Sequence, residues 1–440
     1  MAARRTAQQL GRREPRIAVL RALLPAELTD AALLDRLAGV LAGADDALLP
    51  LAGTDEHSRQ TAAALRVGEP IDGRIALVVP TSGSTGSPKG AQLSADALLA
   101  AAAATHERLG GPGNWLLALP ATHIAGLQVL IRALAAGTTP VRIRTPGFDP
   151  AALPGAVAAL GPGRRYTSLV SNQLATALED PGAAAALAEL DAVLLGGGPA
   201  PAALLERAAA IGINVVRTYG MSETAGGCVY DGVPLAGVGL RLDDGRIHLG
   251  GPTLASGYRN PPAVSRGSAE LAERSRSGNR RIDSAVSRGS AELAERSRSG
   301  NRRIDSAPDP FAEPGWFRTD DLGELDATGR LRVLGRVDDA IATGGLKVLP
   351  QVVEAALNED PAVAEAVVFG VPDERLGQRV VAAITLAAGA TAPTLAALRH
   401  RVAQRLPVTA APREVHVVTE LPRLGVGKPD RRGLARRFSR

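Results

Sequence analysis

Between Ile75 and Arg217 the sequence repeats one pattern: a short apolar run, an Ala- and Leu-rich stretch, then another apolar run. The runs Ile75–Val79, Trp115–Leu119, Tyr166–Val170, Asp191–Leu195 and Ile213–Arg217 have the length of buried strands. Ala95–Arg108, behind an N-cap at Ser94, and Pro201–Ala210 read as helices. Such a chain buries its apolar runs best as parallel strands with helices covering both faces. The expectation is an α/β protein whose large N-terminal domain has mostly parallel sheets, with ligands at the carboxyl ends of the strands. After Arg336 the texture changes. A helix over Pro350–Leu357, strands over Val363–Phe369, Val380–Leu386 and Glu414–Thr419, and a helix over Leu395–Gln404 predict a small α+β unit. The break falls near Val337–Asp338, giving domains over 17–337 and 338–440.

One segment stands outside this plan. The 22 residues Ala263–Ser284 recur without change as Ala285–Ser306. Two copies, rich in Arg and Ser, are too few and too polar to stack as a solenoid. They read as a solvent-exposed, disordered insert at 263–306, with a docking or nucleic-acid role as the alternative. The repeat also corrects the charge. The chain carries +5, but residues 1–16 hold +4, residues 431–440 hold +5 and the repeat +4, so the rest is net acidic, about −8. Positive charge on the ends and one insert does not make a face that tracks phosphates, which disfavours a nucleic-acid partner. Residues 1–16 read as a basic, disordered N-terminus.

Cysteine and apolar runs narrow the class further. A single cysteine, Cys228, leaves no intramolecular disulfide and no cysteine metal cluster, which suits a reducing compartment. The six histidines are scattered, so no zinc site is expected. No apolar run is long enough to span a membrane, and a cytoplasmic protein is expected.

Lysine usage is the sharper signal. Of 50 basic residues only Lys89, Lys347 and Lys428 are lysines, all in glycine-containing stretches. Where a chain almost always writes Arg, a Lys marks a place where a compact ammonium is needed. Thr81-Ser-Gly-Ser-Thr-Gly-Ser-Pro-Lys89-Gly90 follows the strand at Ile75 and is expected to lead into the helix at Ser94. Its glycines expose backbone N–H groups, its hydroxyls add donors and Lys89 adds a cation, a set suited to a polyphosphate. It lacks the Gly-Lys-Ser/Thr of a P-loop ATPase.

Thr81–Gly90 resembles the phosphate loop of the adenylate-forming superfamily of acyl-CoA synthetases, nonribosomal adenylation domains and luciferases. Further motifs follow in that family's order: Gly196–Pro199, Tyr219–Thr224, Trp316–Gly323, Gly335–Asp339, Gly344–Lys347 and Gly425–Lys428. Together they span about four-fifths of the chain. The resemblance implies a two-step ligase: a carboxylate joined to the α-phosphate of ATP with loss of pyrophosphate, then transferred to the thiol of coenzyme A. It also implies a small C-terminal domain that is mobile.

The site carries over residue by residue. The resemblance implies ATP contacts from Thr81, Ser82, Gly83, Ser84, Thr85, Gly86 and Lys89, with Thr85 a second Mg²⁺ contact. Gly197 and Gly198 would let adenine approach bare backbone, Tyr219 offers a face to the base or the acyl chain, and Ser222 reaches a phosphate. Glu223 is a hard oxygen ligand for Mg²⁺. Asp321 and Arg336 match the ribose contacts, Asp338 the hinge. In Thr319-Asp320-Asp321, Asp320 stands where the family has Gly, which puts the local backbone in question. Lys428 is the implied catalyst of the first step, and Gly344, Gly345 and Lys347 lie near the implied pantetheine path.

Within the superfamily the pattern is closest to compact ligases of an aromatic keto-dicarboxylate. His123, Arg132, Arg165, Ser171, Asn172 and Gln173 are candidates around that acid. Structural duty is as good a reading of each, and His123 serves equally as a pocket gate or a core histidine. The partners expected are small molecules; a homo-oligomer is compatible with all of this.

Overall fold

The computed structural model describes residues 17–81, 88–143, 147–260, 309–424 and 428–439. The expectations for residues 1–16, the repeat 263–306, Ser82 to Gly86 of the phosphate loop and Gly425 to Gly427 lie outside the described residues.

Four of the five apolar runs between Ile75 and Arg217 fall in one seven-stranded sheet; the first, at Ile75, lies in another. Val215–Met221, Ala192–Gly196, Arg165–Val170, Asn114–Leu117 and Val141–Arg142 lie parallel in that order. Gly226–Tyr230 and Val233–Pro234 extend it antiparallel. Predicted and observed bounds agree to within a few residues. The difference that matters is at the last parallel strand, which starts at Val215 and runs on to Met221, so Tyr219 stands on it.

A second sheet joins Arg21–Leu23, Leu48–Pro50, Ile75–Thr81 and Lys89–Ser94. Its last pair corrects the expected strand-to-helix loop. Ile75–Thr81 and Lys89–Ser94 are antiparallel, with Thr81 opposite Lys89, so residues 82–88 join two strands. The helix follows one strand later, over Ala95–Arg108, and Ser94 caps it by accepting from the N–H of Ala97 at 3.1 Å. A third sheet, wholly antiparallel, was not foreseen. It pairs Gly239–Asp243, Arg246–Gly250, Trp316–Leu325 and Leu331–Arg336.

Beyond Arg336 a smaller unit has its own core of Val353, Leu357, Val368, Val380, Ile384, Leu398 and Val402. Its sheet runs Leu346–Val348, Ile341–Thr343, Gly377–Leu386, Val363–Asp373, with Glu414–Val417 parallel to Gly377–Leu386. The helices Pro350–Leu357, Leu395–Ala403 and Arg431–Arg437 complete it. The α/β class holds: a large N-terminal domain and a small α+β C-terminal one.

Trp115, Tyr166 and Tyr230 are the largest fully buried side chains, in a chain that is 2% aromatic. Trp115 and Tyr166 lie 5.0 Å apart between ring centres. The Trp115 indole N–H donates to Nε2 of His106 at 3.3 Å, which requires a neutral imidazole. Burial, then the Arg132 charge, push His106 down to about 4. Its folded pKa lies below its unfolded one, so stability is complete above about 6.5 and lost as pH falls through about 4. By pH 4 the loss is about 3 kcal/mol. Thermal unfolding between pH 7 and 4 should therefore be less steep with pH in His106→Gln than in the wild type. Equal slopes would refute the assignment.

Candidate active site

The carboxyl ends of the parallel strands carry the chemistry. Ala192–Gly196 ends in the glycine turn, where Gly197 has φ +84° and a Cβ at Gly196 would fall 2.5 Å from the Thr218 hydroxyl oxygen. A side chain is excluded at Gly196, and no heavy atom lies within 4 Å of where a Cβ would stand at Gly198. Beside this turn, Val215–Met221 places Tyr219, and a short 3₁₀ turn over Ser222–Thr224 carries Glu223.

Two buried carboxylates face this region, and each accepts from a phenol. The Tyr219 hydroxyl donates to Oδ2 of Asp321 at 2.7 Å; the Tyr258 hydroxyl donates to Oε1 of Glu223 at 2.7 Å. Both carboxylates are 8% exposed. Burial raises both acids, while the phenols and Arg336 oppose the shift, joined at Glu223 by Lys428. The phenols are pushed up by burial and by the carboxylates they serve, so both stay protonated donors.

Arg336 ties three acidic residues together. It forks onto Asp338 at 2.8 and 2.9 Å and lies 3.5 Å from Asp320 and 4.0 Å from Asp321. Asp321 and Arg336 are directly opposite across two antiparallel strands, which fixes the pair through the backbone. Burial pushes Asp338 up, but Arg336 outweighs it and the carboxyl stays below its usual range. The concern over Asp320 is answered here. It lies on the strand Trp316–Leu325 where the register against Arg246–Gly250 shifts, yet it is absent from the residues with positive φ, and its carboxylate accepts from Arg246 at 3.0 Å.

Lys89 stands on the strand after the phosphate loop, its ammonium 5.7 Å from the centre of the Tyr258 ring. Tyr258 thus touches both Glu223 and Lys89, a link that sequence reading missed. Scarcity could have found it: the chain has only four tyrosines, and two serve the site carboxylates. Lys428 comes from the small domain, exposed on the short strand Lys428–Pro429, and its charge bears on both Glu223 and His123. His123 precedes the helix Ile124–Ala136 and opens to solvent. Its surroundings first, and Lys428 second, hold it below its ordinary value and favour the neutral ring.

The acid-pocket candidates divide. Ser171 and Asn172 begin a helix at the carboxyl end of Arg165–Val170, and the Ser171 hydroxyl donates to the carbonyl of Pro199 at 3.3 Å, beside the glycine turn. Gln173 is committed to backbone, accepting from Val170 and donating to Ala118. Arg165 lies at the opposite end of its strand and donates to the backbone carbonyl of Glu189 at 2.8 Å. Arg132 is 3% exposed, donates to the Tyr230 hydroxyl at 3.2 Å and lies over the Trp115 ring. Gln173 and Arg165 are thus engaged with backbone, and Arg132 with the Tyr230 hydroxyl, although its buried Nε has no hydrogen-bond partner among the described residues.

Gly344 and Gly345 form the tight turn, with φ +56° and +81°, between Ile341–Thr343 and Leu346–Val348. Lys347, on the second strand, lines a cleft of about 460 Å³ with Arg246, His248 and Arg318. It does not join the cluster of Glu223, His123 and Lys428. The two lysines of the small domain thus address different surfaces.

The two arms of the repeat-bearing segment meet at its base. The ring of Phe311 packs edge-on to Tyr258 at 5.5 Å and lies 4.8 Å from Phe317. Among the described residues, Tyr258 is packed by Phe311 from the far side of the repeat. Deleting Ala263–Ser306 is expected to leave kcat/KM within about threefold, since loop length enters closure entropy only logarithmically. A loss beyond about tenfold in steady-state assays would give the repeat a role.

The AMP-binding enzyme family is matched over residues 1–259 and the AMP-binding enzyme C-terminal domain over residues 352–428. A relative from Mycobacterium tuberculosis, named "Probable 2-succinylbenzoate–CoA ligase", is 56% identical over 425 residues, covering 96% of this chain and 99% of its own. The 2-succinylbenzoate–CoA ligase of Geobacillus kaustophilus is 33% identical over 391 residues, 82% of this chain and 69% of its own. Among solved structures, o-succinylbenzoate CoA synthetase (MenE) from Bacillus subtilis, in complex with the acyl-adenylate intermediate OSB-AMP, is similar with a TM-score of 0.64. It is 25% identical and covers 94% of this chain and 82% of its own. ATP-bound MatB from Rhodopseudomonas palustris shares the fold, with a TM-score of 0.72 at 23% identity, covering 96% of this chain and 89% of that one.

Proposed function

The chain belongs to the AMP-binding enzyme family, and from that premise we propose that it is an AMP-forming ligase joining 2-succinylbenzoate to coenzyme A. The resemblance in sequence assigns that reaction to menaquinone biosynthesis, and we propose a cytoplasmic enzyme acting on small molecules. No helix among the described residues is long and apolar enough to cross a membrane. The observation that carries the reading is the pair of buried carboxylates beside the strand ends, Glu223 held by Tyr258 and Asp321 held by Tyr219 opposite Arg336.

The chemistry follows from that placement. In the first step a carboxylate oxygen of the acid attacks the α-phosphorus of ATP, and pyrophosphate leaves. Negative charge builds on the phosphoryl oxygens, where the Lys428 ammonium can neutralise it and Lys89 can hold the departing phosphates. Asp321 and Arg336 are placed to receive the ribose, and Gly196 to Gly198 leave a flat backbone surface for the base. In the second step the thiol attacks the acyl carbon and AMP leaves. Lys428 has no part in that step, which suits a residue delivered by a separate domain.

Mg²⁺ fits the donor set. Among the described residues no three His, Cys, Asp or Glu side chains gather into a metal cage. Mg²⁺ does not need one: it is commonly held by one or two carboxylates plus substrate phosphates. Glu223 would hold it, and Mg²⁺ would there offset the charge of the phosphates. Tyr258 fixes the carboxylate for that task. Tyr258→Phe is expected to slow pyrophosphate release about tenfold, by loss of a hydrogen bond to a charged group. It should also move the acid limb of the pH–rate profile upward, because the lost donor favoured the ionised carboxylate. An unmoved limb would dissociate Tyr258 from Glu223.

The test of the reaction is pyrophosphate release and thioester formation with 2-succinylbenzoate, beside benzoate, succinate and a medium-chain fatty acid. Turnover of 2-succinylbenzoate over the others supports the assignment. Preference for another acid would keep the chemistry and replace the substrate. Adenylate formation without turnover of free coenzyme A would point to a domain that loads a carrier protein.

A further inference from the structure

We propose that Glu354 is a positioning residue for adenylation: through Arg431 it holds the hairpin that carries Lys428 in its working place. This inference rests on the role of Lys428 given above. Glu354 is 6% exposed on the helix Pro350–Leu357, and Arg431 donates to both its carboxylate oxygens, at 2.6 and 2.8 Å. The N–H of Val368, on the edge strand Val363–Asp373 of the small domain, donates to the same carboxylate at 2.7 Å. One acid therefore joins a helix, a strand and the segment just after Lys428.

Arg431 is three residues from Lys428, and the chain between them is tightly turned. Leu424 pairs with Lys428 and Arg423 with Pro429, the N–H of Asp430 donates to the carbonyl of Pro422 at 2.8 Å, and Asp430 caps the following helix through Gly433. That helix, Arg431–Arg437, is too short to hold its own place. Leu434 seats it in a core with Val367, Phe369 and Val381, and the Glu354–Arg431 pair seats its first residue. Lys428 itself is exposed, and its charge is felt at Glu223 of the large domain. Its position is thus inherited from the ends of the hairpin. Burial pushes Glu354 up to about 7, and the Arg431 charge opposes that shift.

The test separates the half-reactions. Glu354→Gln and Arg431→Lys keep polar side chains of similar reach but lose the forked ion pair. Acyl-adenylate formation, read as pyrophosphate release, should fall about 20-fold or more in kcat with KM for ATP within about threefold. Thioester formation from supplied acyl-adenylate should stay within about threefold, in protein whose thermal unfolding confirms a folded small domain. A parallel fall in both half-reactions would mean a structural role only, and an unchanged adenylation rate would overturn the proposal. If Glu354→Gln does not fold, Arg431→Lys decides by the same criteria. Lys428→Ala is run beside them. If it leaves adenylation intact, the role of Lys428 and this inference fall together; if it separates the half-reactions and the pair variants do not, only this inference falls.

Discussion

Replacing Lys428 with Ala is expected to slow acyl-adenylate formation by about 10²- to 10³-fold, the usual effect of removing one preorganised group that meets developing charge. Conversion of supplied acyl-adenylate to thioester should stay within about threefold. The asymmetry follows from where Lys428 sits. It lies on a two-residue strand of the small domain, and its charge acts on Glu223 and His123, both in the large one. A group delivered across a domain boundary can serve one step and be withdrawn for the next. Lys347, the other lysine of the small domain, lines a different cleft with Arg246 and Arg318. Quenched-flow measurement of pyrophosphate, followed by a separate assay of the thioester step, distinguishes the cases. Equal losses in the two steps would make Lys428 a general electrostatic or structural group.

The lysines were legible because substitution by Arg is not physically neutral, so their rarity carried information. The same reasoning applied to tyrosine would have reached Tyr258, whose hydroxyl serves Glu223 and whose ring lies under Lys89. Helices were legible to the residue where a cap fixed them: Ser94 starts Ala95–Arg108 both in the sequence and in space. The hairpin of Ile75–Thr81 with Lys89–Ser94 was not, because Lys89–Ser94 has no apolar run of its own. Its partner strand and an isolated bridge from Ala91 to Tyr258 make it a strand. The antiparallel sheet around Asp321 was hidden for a related reason: its strands mix charged and apolar residues, and the repeat separates two of them in sequence.

Arg132 and Arg165 show a limit of another kind. Each reads equally as a ligand for an anionic acid or as a structural residue, and the sequence does not choose between the two. In the structure Arg132 meets the Tyr230 hydroxyl and the Trp115 face, and Arg165 the backbone and side chain of Glu189. None of these partners is near in sequence, and Arg132 uses neutral ones that no charge pattern announces. Asp320 erred in the opposite direction. A carboxylate in place of the family's glycine suggested strain, but the strand needs no positive φ there, and Arg246 and Arg336 receive the charge.

Replacing Asp321 with Asn should weaken ATP binding by about 30- to 1000-fold, the equivalent of about 2–4 kcal/mol for charge-assisted bonds to two ribose hydroxyls. Asn keeps an acceptor for the Tyr219 hydroxyl, so thermal stability should stay near that of the wild type. Asp321→Ala should bind ATP as poorly and also lose about 1–3 kcal/mol of stability, because the buried phenol is left unsatisfied. The contrast separates the two duties of the carboxylate: one toward Tyr219, visible in the structure at 2.7 Å, and one toward the nucleotide. ATP lacking the 2′- or 3′-hydroxyl completes the test. The wild type should discriminate strongly against such analogues, and Asp321→Asn should discriminate much less, since the partner of the missing hydroxyl is already gone. If the variant and the wild type lose the same factor on removing a hydroxyl, Asp321 does not hold the ribose. Arg336, 4.0 Å away and already forked onto Asp338, would then be the group to test next.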